Sequence, residues 1–143
     1  MKTLLALCSA ALMMTSTVAS ADPGVGLPAC TPEKLAGRYG FSLTGIILPG
    51  NPAGLPPGPV VATGVMVLDA YGNMHGTNTL SVNGSVTKGV PFDGTYQLNP
   101  DCTFTLVDPG YFTNYGVVVA NGNELLVMST DFGMVLTSTS KRL

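Results

Sequence analysis

From Gly37 to the C-terminus the chain alternates strand-like runs with turn signals, and this rhythm restricts its fold more than any other feature. No stretch there keeps a 3.6-residue apolar period long enough for an ordinary helix. The first run, 37–47, sets Tyr39, Phe41 and Leu43 against Arg38, Ser42 and Thr44. Further runs cover 60–68, 74–82, 85–98, 102–107, 111–120, 124–130 and 134–142. Between them stand turn formers: Asp69-Ala70-Tyr71-Gly72-Asn73, Asn83-Gly84, Asn99-Pro100-Asp101, Asp108-Pro109-Gly110, Asn121-Gly122-Asn123 and Asp131-Phe132-Gly133. Asp and Asn cap such turns with their own side chains, and Gly accepts the left-handed backbone that tight hairpins need. Within 85–98, Pro91 and Gly94 mark a bend or bulge. Only 48–59 breaks the rhythm; five prolines and three glycines make it a loop.

Consecutive runs with short connections form an antiparallel meander. An open meander leaves two edges, and closure into a barrel removes both. The expected fold is all-β: an eight-stranded antiparallel up-and-down barrel, with a two-sheet sandwich as the alternative. Gly40, Gly45, Gly64, Gly76 and Gly94 suit the tight coiling of a small barrel. Ahead of the strands, Thr31 fits an N-cap, Pro32 the first helical position and Gly37 the stop, which gives a short N-terminal helical turn.

Residues 1–21 read as an export signal. Lys2 gives a positive start, 4–14 an apolar stretch, and Ala19-Ser20-Ala21 a small-x-small cleavage site. The apolar stretch is shorter than the ~20 residues a membrane span needs. Leu7, ahead of Cys8, is too large for a lipoprotein site. The mature chain, 22–143, is then a single β-barrel domain, secreted or periplasmic, with no membrane span after signal cleavage. Its two cysteines, Cys30 and Cys102, lack the spacing and the histidine neighbours of a redox or metal pair and read as one disulfide.

Charged residues make up only 10% of the 143, and the net charge is −2. Disorder needs high net charge with low hydrophobicity, and neither is present. Nucleic acid and anionic membranes call for a basic surface, so neither is an expected partner. Val117-Val118-Val119 and Leu125-Leu126-Val127-Met128 are apolar on both faces, which points to a cover on the outer wall. The expected cover is another copy of the chain, making a homo-oligomer. An outer-membrane barrel would carry aromatic girdles and strict alternation, which are missing here.

Gly37-Arg38-Tyr39 opening the first strand and Lys141-Arg142 closing the last resemble the calycin barrels of the lipocalin and avidin superfamily. Those open with Gly-x-Trp, crossed by a basic residue of the last strand. The resemblance implies that Tyr39 stands in for the Trp and Arg142 for the cation. Thr130-Asp131-Phe132 is similar to the Thr-Asp-Tyr turn of lipocalins. The patterns at 37–41, 69–73 and 94–103 are also similar to a bacterial secreted family of unknown function. Biotin binding is not implied, because avidin sites depend on tryptophans and this chain has none.

His75 is the only histidine, and metal sites of the histidine type need two or three, so no metal and no cofactor are expected. If Leu68 pairs with Met74, His75 falls on the outer, more polar face. Asp69, Asp101, Asp108 and Asp131 read as turn caps. Asp93 sits inside a strand, where its carboxylate faces either solvent or the barrel interior. Tyr39, Phe41, Asn78, Tyr96 and Phe104 alternate inward. They form either a filled core or, with Asp93, the lining of a pocket with a few polar handles.

The favoured function is an exported barrel that binds a small apolar or aromatic molecule beneath the 48–59 loop. One alternative is an oligomeric interaction module without a ligand. The other is a cofactor-free isomerase or cyclase resembling allene oxide cyclase in architecture alone, with Tyr39, Tyr96 and Asp93 as acid and base.

Overall fold

The computed structural model describes residues 30–110 and 112–143. The expected export signal over 1–21, with its expected cleavage site, and the lead-in over 22–29 lie outside the described residues. After helix α1 (Pro32–Leu35) come β1 (Gly37–Ile47), β2 (Gly58–Leu68), β3 (Asn73–Val82), β4 (Ser85–Leu98), β5 (Thr103–Asp108), β6 (Phe112–Val119), β7 (Glu124–Ser129) and β8 (Met134–Arg142). Each strand pairs antiparallel with the next, and β8 returns to β1 from Tyr39↔Arg142 to Ile47↔Met134. The barrel is closed, as the meander requires, and the sandwich alternative is set aside. No helix among the described residues is long and apolar enough to cross a membrane.

Strand limits differ from the sequence reading where pairing overrides local composition. Gly58 and Pro59 join β2 because Ile47 and Ile46 of β1 face them, so the proline-rich loop shortens to 48–57. Pro59 is tolerated near a strand start, where a missing N–H is least disruptive. Pro91 and Gly94 stay in register with Thr77 and Met74 instead of forming the expected bulge. The irregularity lies where Lys88 and Gly89 on β4 stand against Thr79 on β3, and Gly89 takes the positive φ (65°) that such a bulge demands.

Each end of the barrel is closed by a different device. At one end lie α1 and the β2–β3, β4–β5 and β6–β7 connections. There the Arg142 guanidinium donates to the carbonyls of Lys34, Ala36 and Gly122, which ties the last strand to the α1 segment and to the β6–β7 connection. It also lies 5.0 Å from the centre of the Tyr39 ring, the packing that the calycin resemblance implied. Cys30 and Cys102 are bonded, with Cα atoms 5.1 Å apart and a sequence separation of 72. A closure of that length stabilises a fold by about 4 kcal/mol in the chain-entropy description.

At the other end Asn51 folds the proline-rich loop onto itself. Its amide donates to the carbonyls of Leu48 and Leu55, and its oxygen accepts from the Leu55 N–H. Ala53 and Leu55 thereby pack on Ile47, Val60, Met134 and Leu136. A larger cluster, with Leu35, Tyr39, Leu68, Tyr96, Phe104 and Leu125, fills the α1 end.

Candidate functional site

Alternation along the strands sends one side chain in two into the barrel, and the two apolar clusters do not meet everywhere. Between them lies a cavity of about 110 Å³. Phe41, Leu43, Met66, Met74, Phe92, Leu106, Phe112 and Val127 supply its apolar wall. Its polar lining is Asn78, Asp108, Asn114, Ser138 and Ser140. Phe41 and Phe92 meet edge to face, with ring centres 5.8 Å apart, a favoured aromatic geometry. Gly64 lies opposite Asn78, and a Cβ there would collide with the Thr77 carbonyl and Asn78 Cα. The glycine lets β2 and β3 approach closely and sets how far Asn78 reaches inward.

The wall is uneven beside this cavity. β4 pairs with β5 only from Thr95↔Val107 to Leu98↔Phe104, so residues 85–93 run past the end of β5 without a partner on that side among the described residues. Phe92, Asp108 and Phe112 flank the resulting gap and also line the cavity. Lys88, Gly89 and Pro91 occupy the unpaired stretch, residue types that blunt an edge against further strand addition.

The residues expected to line a pocket separate into three groups. Phe41 and Asn78 line the cavity, and Asn78 Oδ1 is buried there without a hydrogen-bond partner. Such an acceptor costs about 1–3 kcal/mol unless something donates to it. Tyr39, Tyr96 and Phe104 are inward and buried but are committed to the α1 end. The Tyr39 hydroxyl shares its proton between the Leu35 and Gly122 carbonyls, each at 2.8 Å, and accepts from Arg142 at 2.7 Å. Burial raises its pKa, while the Arg142 charge acts in the opposite direction. The Tyr96 hydroxyl donates to the Asp69 carbonyl. Burial also raises the Tyr96 pKa, with a smaller push from the Asp69 charge. Phe104 covers Gly116, its cross-strand partner, where any larger residue would displace the ring.

Asp93 forms the third group and corrects the interior reading. It is exposed on the outer face, paired across the ladder with His75, itself exposed as alternation requires. Tyr39, Tyr96 and Asp93 therefore do not converge on one cavity, as the cyclase reading needed.

The carboxylate that does line the cavity is Asp108, which the Asp-Pro-Gly turn signature disguised as a cap. The overlooked signal was parity: Phe104 and Leu106 point inward, and the same alternation carries Asp108 inward one step later. Its pKa is pushed up to about 6, first by burial and then by the negative charge of Asp93. Asn114, Ser138 and Ser140 were also missed, because nothing in a polar residue distinguishes an inner from an outer wall until register is known.

A larger hollow of about 410 Å³ lies outside the barrel against α1, between Cys30, Leu98, Asp101 and Val117. It borders the first described residue, and we assign it no ligand. Among the described residues no three His, Cys, Asp or Glu side chains gather to hold a metal ion. No family model, curated protein or solved structure matches the chain.

Proposed function

We propose that this is an exported barrel that binds one small, largely apolar molecule in the cavity between its two core clusters. The observation that carries the reading is the unpartnered Asn78 Oδ1, buried in an aromatic- and methionine-walled space of about 110 Å³. Polar atoms in a packed core are normally satisfied, so an orphan acceptor facing a hollow calls for a donor from outside the chain. Sites for drug-sized ligands run to about 300–1,000 Å³, and a dry 150 Å³ cavity takes benzene. The buried part of the ligand is therefore about one small ring or a short branched chain, with the remainder emerging beside β4. The disulfide supports an oxidising compartment, secreted or periplasmic.

Benzyl alcohol, a small ring that carries one hydroxyl donor, is a suitable probe. Titrated into protein carrying labelled methionine methyls, it is expected to shift Met66 and Met74, which line the cavity. Ser138→Leu, which fills that space, should suppress the shift while leaving the fold intact. Unmoved Met66 and Met74 signals in the unaltered protein would refute the reading.

A second reading rests on the outer wall of β5, β6 and β7. Val107, Tyr115, Val117, Leu126 and Met128 are exposed there, with Tyr115 opposite Met128 and Val117 opposite Leu126. This uncharged patch favours a homo-oligomer, since exposed apolar surface of this kind is normally covered. Ligand binding and self-association use different faces of the same wall and are compatible.

A further inference from the structure

The buried orphan atom and the one ionisable group of the cavity are both acceptors, set beside Asn114, Ser138 and Ser140, which can donate as well as accept. Asn78 Oδ1 is buried without a donor. The Asp108 carboxylate receives no hydrogen bond and no cation from the described residues, and its nearest charged influence is another acid, Asp93. Among the described lining residues Asp108 is the only one that titrates. Around these acceptors stand Phe41, Phe92 and Phe112, whose ring faces attract cations, and the polarisable thioethers of Met66 and Met74. An anionic ligand would meet the Asp108 carboxylate, with the Asp93 charge close by. A neutral apolar ligand would leave Asp108 desolvated and unpaired, which is costly for a charge.

We propose that the cavity selects a protonated amine carried on a small apolar body. The ammonium group meets Asp108 at the gap beside β4, and the ring or branched chain fills the space between Phe41, Phe92 and the two methionines. This rests on the binding reading above and narrows it to one ligand class. Asp93, on the outer face of β4, adds to the attraction at the mouth without touching the ligand. Removing the charge on Asp108, by acid or by substitution, removes the selectivity.

Benzylamine and benzyl alcohol share one shape and differ in charge. Each is titrated into the protein while the Met66 and Met74 methyl signals are followed. At about pH 7.5 benzylamine is expected to bind roughly tenfold more tightly than the alcohol. Benzylamine stays protonated at about pH 4.5, yet its advantage should vanish there, because Asp108 then carries a proton. Asp108→Asn should erase the preference at both pH values. If that variant does not fold, the pH comparison in the unaltered protein decides alone. Equal or tighter binding of benzyl alcohol at the higher pH overturns the amine inference and leaves the binding reading standing. Failure of both compounds to move either methyl overturns both.

Discussion

Arg142 ties several elements together at the α1 end of the barrel. Its guanidinium donates to three backbone carbonyls and the Tyr39 hydroxyl while lying over the Tyr39 ring. Lysine cannot reproduce that fork, because an ammonium is a point charge without a planar face. Arg142→Ala leaves carbonyls without donors and should lower stability by about 3 kcal/mol in urea unfolding, with Arg142→Lys recovering only part. Asp108 works in the opposite direction. Its folded pKa, about 6, stands above the ordinary aspartate value of 3.8, so the folded state holds the proton more tightly than the unfolded chain. Stability from this group is therefore greatest at low pH and falls as pH rises from about 4 to about 6. Asp108→Asn should flatten that slope and stabilise the protein near neutrality by about 1–2 kcal/mol, after allowance for solvent screening. Unfolding curves taken across that window check it. The turn carboxylates have the opposite sign. The Asn73 side chain and backbone hold the Asp69 pKa down, and the Thr103 hydroxyl and backbone do the same for Asp101. Their stabilisation is lost only in stronger acid.

The strands themselves were legible because a barrel wall repeats a simple instruction, inward apolar and outward polar, between turns that Asp, Asn and Gly specify. Leu68 and Met74 do pair, and His75 does face outward. What escaped the sequence was set by neighbours distant in the chain. Asp93 and Asp108 are both acids beside turn or bend residues; alternation with Phe104 and Leu106 turns Asp108 inward, and the short β4–β5 pairing leaves it at the gap. The Tyr39 and Tyr96 hydroxyls looked like free polar handles because the Gly122 and Asp69 carbonyls are far away in sequence, and nothing local announces the nearer Leu35 carbonyl to Tyr39. Among the connections, the proline-rich loop depends on one side chain. Asn51→Ala removes its three internal hydrogen bonds and should cost about 1–2 kcal/mol, with faster amide exchange confined to 48–57 and the strand ends beneath it. Exchange unchanged over that segment would show that proline stiffness alone holds the loop.

At the scale of the molecule, the barrel has a packed end, a looped end and an uneven side wall, with the cavity beside the low part of that wall. Sheet closure explains why so few charged residues suffice, since among the described residues no edge other than the β4 overhang needs protection. The outer patch on β5–β7 carries a separate expectation: light scattering of the mature protein should report an oligomer, and Leu126→Lys with Met128→Lys should return it to a monomer. A monomer before substitution would mean that the patch is simply solvated. A ligand-binding barrel should have the space beside Asn78 and Asp108 occupied when the protein is made by its own cell. Native mass spectrometry of protein purified from its host answers this directly. The expected spectrum carries one small-molecule adduct per chain, lost on denaturation and absent from Ser138→Leu. An adduct-free spectrum from the unaltered protein, or the same adduct on the filled variant, would contradict it.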